Sequence, residues 1–383
     1  MRRGRHRGPG PAGRHRSPGM SGQGRPIGLI GLGIMGGMMA ETLIQHGHSV
    51  VGYDITPRTR QRLASAGGAV APTATAVAEV SDVVIVSLST TAALDATVEA
   101  IATCQRPPGA ARLIVLETST LPLADKERAQ KRLRPLGVTL LDCPISGTAA
   151  RMKDRAWTIY CSGPKSAMPR VRTILRAFTD NTPHVGVFGN GTRMKFAANH
   201  LVAILNVATA ESINLARKLG LDPQQMLDLF GPSQVLGTGV MRLRAPFMIR
   251  REYSPPTMKV EVWQKDMQVI GDMAKSVDCP TPLFSACVPI YNAAMAQGRA
   301  AQDTASVSEV LAGMAGIPPA PARATAQAPA TASAKVPVKV SVKVPVKSPV
   351  KALAPTPTQA KTQAKPKPKP KPKPKAKPRQ RAS

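Results

Sequence analysis

Three glycines, Gly31, Gly33 and Gly36, are spaced G-x-G-x-x-G where a β-branched run gives way to a helical pattern. At such a junction the first glycine permits a tight turn, the second an open approach for a pyrophosphate, and the third close packing of helix on strand. The free N–H groups and positive dipole of the opening helix then face the phosphates. Gly31, Leu32, Gly33, Ile34, Met35 and Gly36 are therefore the candidate dinucleotide-binding residues, against the bland reading of a glycine-rich turn. Asp54 ends the next β-branched run, 18 residues after Gly36, where a carboxylate accepts hydrogen bonds from both ribose hydroxyls. A 2'-phosphate would meet a like charge there, so the sequence favours NAD. NADP stays open, because Arg58 and Arg60 either embrace such a phosphate or merely line a solvated helix face.

Lys195 and Asn199 lie four apart in a helical pattern, so both side chains share one face and reach one substrate atom. The bland alternative is a solvated lysine beside a surface asparagine. Ser146 and Gly147, in DCPISG, offer a hydroxyl and exposed N–H groups to an anion, or form an ordinary strand-to-loop turn. Ser119 and Thr120 follow a strand's carboxyl end, where doubly wound sheets bind ligands, although such residues also cap helices. Lys265 and Asp266 are either a functional pair or a helix-surface pair. His46, His48 and His200 receive no catalytic role.

These residues need a scaffold. Beyond Arg25, β-branched runs at 27–30, 49–53, 82–87, 112–116, 138–141 and 157–161 alternate with helical stretches at 34–45, 58–66, 94–104 and 123–134. That alternation predicts an α/β fold: an N-terminal Rossmann doubly wound parallel sheet over 25–190. From Thr192 one helical pattern runs to Lys218, where Gly220 and Pro223 end it, and the elements up to about residue 312 also read as helices. An all-helical C-terminal domain is thus expected over 191–315.

The formal charge of +30 is unevenly spread: residues 1–19 carry six Lys/Arg and 313–383 sixteen, neither with any Asp or Glu. The body keeps +8, ordinary for a soluble globule of its size, so a nucleic-acid reading attaches to the tails alone. Segments 1–24 and 316–383 are expected to be disordered. The KPKPKPKPKPK run of 365–375 lacks backbone donors, repels itself and offers little apolar surface. The C-terminal tail either binds polyanions without sequence preference or serves as a solubiliser.

Five cysteines without a C-x-x-C pair indicate neither a zinc site nor a disulfide framework, and reduced thiols point to the cytoplasm. No membrane span is expected, because the most apolar stretch, 196–219, is interrupted by Asn199, His200, Asn206, Glu211 and Asn214. The Arg-rich start lacks the apolar core of a secretory signal. Met20, shortly before the first strand, is a candidate native start.

GLGIMGGMMAETLIQHGHSVVGYD, LETSTLP at 116–122, DCPISG at 142–147, GNGTRMKFAANHLVAILNVATAESINLARKLGLDP at 189–223 and KDM at 265–267 together resemble the β-hydroxyacid dehydrogenases. That family includes 3-hydroxyisobutyrate dehydrogenase and 2-hydroxy-3-oxopropionate (tartronate semialdehyde) reductase. The resemblance covers about residues 25–312, in order. It implies NAD(P)-dependent hydride transfer between nicotinamide and the β-hydroxyl or aldehyde carbon of a short carboxylic acid, in a homo-oligomer. It makes Lys195 the general acid/base, Asn199 the residue that fixes the substrate oxygen, and Ser146 with Gly147 the carboxylate grip. Lys265 would stand near nicotinamide and carboxylate, and Thr120 with Ser119 would contact the cofactor. No metal is expected, since lysine and cofactor supply proton and hydride. A lysine working near neutral pH must be held roughly two to three pH units below its usual value of about 10.4, or about 3–4 kcal/mol. Burial and the positive nicotinamide of NAD+ both act in that direction. Thr148, where the family has glycine, and Arg155-Ala156, where relatives show Gly-Thr, bear on substrate identity. The alternatives are an imine reductase and a binding protein held to nucleic acid by its basic tail. Imine reductases and a chromatin-associated branch of the family typically lack the lysine, so Lys195 favours the dehydrogenase.

Overall fold

The computed structural model describes residues 24–147, 152 and 154–319. Thr148, and the basic ends expected to be disordered apart from residues 24 and 316–319, fall outside those residues.

Short, mostly apolar runs form the sheet. Strands β1 (Ile27–Ile30), β4 (Val83–Val86) and β5 (Ile114–Glu117) are buried throughout, as parallel strands covered on both faces must be. With β2 (Val50–Tyr53), β3 (Ala69–Val70) and β6 (Thr139–Asp142) they make one six-stranded parallel sheet of order 3-2-1-4-5-6. Successive side chains alternate between its faces. Leu29, Ile85, Leu116 and Leu141 pack against α1 (Ile34–Gln45) and α6 (Met168–Arg176) through Met39, Leu43, Val171 and Leu175. On the other face, Ile30, Val84, Val115 and Leu140 meet α3 (Ala74–Val80), α4 (Thr91–Ala102) and α5 (Leu123–Leu133) through Val77, Leu94, Val98 and Leu133. Each such buried Leu, Ile or Val contributes roughly 1.5–3 kcal/mol. Helix α2 (Pro57–Ser65) follows β2. Strand order reverses between β1 and β4, which opens a crevice at their carboxyl ends.

The run at 157–161 does not join this sheet, contrary to the expectation from sequence. Strand β8 (Thr158–Ile159) pairs antiparallel with β7 (Ile145–Ser146), because the connection between them is too short for the crossover that parallel pairing needs. The sequence also hid β3, α3 and α6, which are two, seven and nine residues long.

Beyond the sheet come α7 (Asn190–Lys218), α8 (Pro223–Phe230), α9 (Gly239–Arg250), α10 (Val260–Ser276), α11 (Pro282–Ala296) and α12 (Val307–Met314). Helix α7 is the axis, with α9, α10, α11 and α12 packed along it around Phe196, Ala203, Val207, Ala210 and Ile213. Against expectation, α7 is long and apolar enough, by length and hydropathy, to cross a membrane. Here it is the core of a helical cluster, and two of the polar residues that interrupt it, Asn206 and Asn214, have partners there. Asn206 Nδ2 donates to Tyr291 Oη at 2.9 Å and to Thr304 O at 3.0 Å, and Asn214 Nδ2 donates to Ser308 O at 2.9 Å. A buried amide left without partners would cost about 1–3 kcal/mol, so each bond also fixes register.

Candidate active site

The crevice is a cavity of about 860 Å³, walled on the sheet side by the loops after β1, β4 and β5 and on the other by residues 256–266. Gly31 has φ +87°, and a Cβ there would lie 2.1 Å from Ser87 O, while one on Gly36 would lie 1.9 Å from Gly31 O. The turn and the helix packing therefore demand both glycines. A Cβ on Gly33 would meet nothing, which leaves the open approach that a pyrophosphate needs. No side chain caps α1, so its first-turn N–H groups are available to an anion. Gly31, Gly33, Ile34 and Met35 line the cavity.

Leu32 does not line it. Its side chain is buried, and its N–H donates to Asp54 Oδ2 at 2.6 Å. With Thr56 N–H on Asp54 Oδ1 at 2.8 Å, that bond orients the carboxylate, which does line the cavity. Arg60 is turned to the backbone, its Nη1 donating to Asp54 O at 2.5 Å, and Arg62 pairs with Glu41 at 2.6 Å. Arg58 is exposed.

Lys195 faces the same cavity from α7 and is only 8 % exposed. Burial lowers its pKa to about 8; the charge of Lys265 adds to this and Asp266 opposes it. Asp266 is the hub. Buried itself, it accepts from Asn199 Nδ2 at 2.8 Å and stands 3.8 Å from Lys265 Nζ. Burial raises its own pKa against the pull of Lys265, Lys195 and Asn199. One carboxylate facing two ammonium groups leaves a cation uncompensated, and Lys195, the more buried, yields its proton readily. Lys265 Nζ donates to Thr120 O at 2.7 Å, which ties α10 to the loop after β5.

Lys195, Lys265, Asp266, Thr120 and Gly147 thus all line this cavity. Asn199 and Ser146 do not reach it: Asn199 is held by Asp266, and Ser146 pairs with Thr158 across β7 and β8. Gly147 has φ +144°, and a Cβ there would meet Trp157 Cδ1 at 2.4 Å, so only glycine makes this turn. Thr120 caps no helix, since Pro122 holds the N-cap of α5. His200 stacks on Phe284 with ring centroids 5.2 Å apart. Among the described residues no group of three His, Cys, Asp or Glu side chains could hold a metal.

Sequence reasoning missed a charged network beside this cavity. Lys126 Nζ lies 2.5 Å from Glu117 Oε2 and 3.0 Å from Asp142 Oδ1, and it donates to Ser119 O at 2.7 Å. All three charged side chains are fully buried. Burial disfavours the Lys126 ammonium, but the two carboxylates outweigh it and raise the pKa. Asp142 Oδ2 also accepts from Thr192 N at 2.7 Å, and its Oδ1 from Thr192 Oγ1 at 2.8 Å. A buried carboxylate therefore satisfies the first turn of α7, three residues before Lys195. The available signal was that the apolar runs IVLE and TLLD each end on a carboxylate, at paired positions of β5 and β6.

A family model described as the NAD binding domain of 6-phosphogluconate dehydrogenase matches residues 26–186, and one described as the NAD-binding of NADP-dependent 3-hydroxyisobutyrate dehydrogenase matches 189–311. L-threonate dehydrogenase of Cupriavidus necator is 29% identical over 287 residues, spanning 74% of this chain and 94% of that protein. For 2-hydroxy-3-oxopropionate reductase of Escherichia coli the values are 28% over 288 residues, 74% and 96%. Among solved structures, Mycobacterium tuberculosis 3-hydroxyisobutyrate dehydrogenase with L-serine has a TM-score of 0.68 at 26% identity, covering 75% of this chain and 99% of that one.

Proposed function

This chain belongs to the β-hydroxyacid dehydrogenases, and from that premise we propose that Lys195 moves the proton in its reaction. It is an NAD(P)-dependent hydroxyacid dehydrogenase, and its substrate is a small molecule of the hydroxyacid type. The observation that carries the Lys195 assignment is a buried amine with a pKa of about 8, in the same cavity that the glycine turn lines.

The open face of Gly33, the uncapped start of α1 and the Asp54 carboxylate suit a dinucleotide. When bound, it supplies or accepts the hydride. In oxidation, neutral Lys195 takes the proton of the substrate hydroxyl; in reduction its ammonium returns one to the carbonyl oxygen. Asn199, one turn from Lys195 but set back from the cavity, acts by orienting the Asp266 carboxylate beside that lysine. The Gly147 N–H grips the substrate carboxylate, and Lys265 balances its charge. Rates with 3-hydroxyisobutyrate, tartronate semialdehyde, succinic semialdehyde and L-threonate, each with both dinucleotides, test this reading. Turnover of one acid well above the rest is expected, and turnover of none would overturn it.

NAD is the preferred dinucleotide in this reading, because Asp54 is oriented by two N–H groups while Arg60 and Arg62 are engaged elsewhere. Asp54→Asn should raise the KM for NAD+ about tenfold, as loss of a charged hydrogen bond does, and narrow the preference over NADP+. An unchanged preference would assign the choice to Arg58.

The reading extends to a cytoplasmic enzyme with reduced cysteines, assembled as a homo-oligomer through its helical part. It also gives the tail of 316–383 a polyanion-binding role separate from catalysis. Deleting residues 320–383 should leave kcat and KM intact and abolish salt-sensitive binding to a random-sequence duplex. Equal binding by both forms would leave the tail a solubiliser.

A further inference from the structure

Pro256, Thr257, Met258 and Lys259 line the cavity opposite the sheet, in an irregular segment between α9 and α10. Such a segment holds one conformation only where partners outside it fix its backbone. The partner here is Asp303, a fully buried carboxylate that does not line the cavity. It accepts from Thr257 N at 2.7 Å and Thr257 Oγ1 at 2.9 Å, with Met258 N at 3.4 Å. Arg244 of α9, 5 % exposed, donates from Nη1 to Asp303 Oδ1 at 2.5 Å and to Thr257 Oγ1 at 2.6 Å. Asp303 N to Tyr253 O and Thr304 N to Met258 O, both 2.9 Å, complete the tie. The segment then enters α10 at Val260, and Lys265 and Asp266 follow between one and two turns later.

We propose that the buried Arg244–Asp303 pair is a positioning device for the active-site wall. It fixes where Thr257 to Lys259 stand against substrate and cofactor, and with them the register at which α10 presents Lys265 and Asp266. The proposal rests on the reading of this cavity as the catalytic cleft. Stability does not account for the pair, because a buried ion pair is commonly replaceable by apolar side chains of similar volume without loss. What apolar side chains cannot supply is an acceptor for the Thr257 N–H and hydroxyl at once. Neither residue touches the reacting atoms, so both act through the segment they hold.

The test compares full-length Asp303→Asn with the double variant Arg244→Met/Asp303→Leu. Four quantities are read: thermal midpoint, the kcat and KM split, NADH affinity by fluorescence, and amide exchange of peptides covering 253–262. Asp303→Asn should raise substrate KM tenfold or more, with a smaller fall in kcat, and speed exchange in 253–262 while β1 peptides stay unchanged. The double variant should regain part of the thermal midpoint, since no charge is left buried alone, yet keep the raised KM, weakened NADH binding and fast exchange, since the Thr257 N–H and hydroxyl still lack their acceptor. Recovery of KM and exchange along with stability would show a merely structural pair and overturn the proposal. So would Asp303→Asn losing stability with KM and exchange unaltered. Should Asp303→Asn fail to fold, the double variant alone decides. Should the wild type turn over no acid, the catalytic reading fails, while NADH affinity and exchange still judge the device.

Discussion

Lys195→Ala should lower turnover of the hydroxy acid a hundredfold or more, about 2.7 kcal/mol of transition-state stabilisation, while NADH affinity stays within about twofold. The amine comes from α7, whereas the glycine turn and Asp54 belong to the loops after β1 and β2, so its loss removes chemistry without removing the dinucleotide site. Lys195→Arg should be as poor, because a guanidinium keeps its proton throughout the accessible pH range. The pH profile carries the sign. Oxidation needs the neutral amine, so kcat/KM should rise with pH and level off above about 8, whereas reduction needs the ammonium and should fall there. Asp266 raises the Lys195 pKa, so Asp266→Asn should move both inflections to lower pH. Near-normal turnover in Lys195→Ala, or an inflection that survives it, would return the residue to a bystander.

What could be read before the structure was whatever local geometry dictates. The separate roles of Gly31, Gly33 and Gly36 follow from one strand, one turn and one helix, and the steric surroundings of each glycine agree. Lys195 and Asn199 share a face because helices repeat every 3.6 residues. Spacing does not say what that face meets. Asn199 reaches Asp266 across 67 residues and Thr192 reaches Asp142 across 50; such pairings arise only when separate elements dock. The same limit explains β8: an apolar run of strand character pairs equally well with a parallel sheet or with its own hairpin, and the short connection decides. It also bears on α7, where the sequence shows Asn206 and Asn214 interrupting an apolar helix but not that they bond Tyr291, Thr304 and Ser308.

Lys126→Met should destabilise the folded chain by about 3–5 kcal/mol, the range for breaking a buried ion network on one side. Methionine nearly matches the lysine stem, so a cavity is not the cause; the cause is two carboxylates, Glu117 and Asp142, left buried without their cation. They can answer only by taking up a proton when folded, at a pKa above the unfolded value of about 4. A folded pKa raised in this way contributes stability that is fully present below the unfolded pKa and is lost as pH rises through the folded one. The deficit relative to wild type should therefore be larger at pH 8 than at pH 5, read as urea midpoints. Adding Glu117→Gln should restore much of the loss, because the remaining charge on Asp142 still faces the first turn of α7 through the Thr192 N–H and hydroxyl. Adding Asp142→Asn instead removes the same charge but weakens that cap, three residues from Lys195, so it should restore less stability and lower kcat further. Equal recovery from the two second-site changes would mean that the network only balances charge and has no part in placing the catalytic helix.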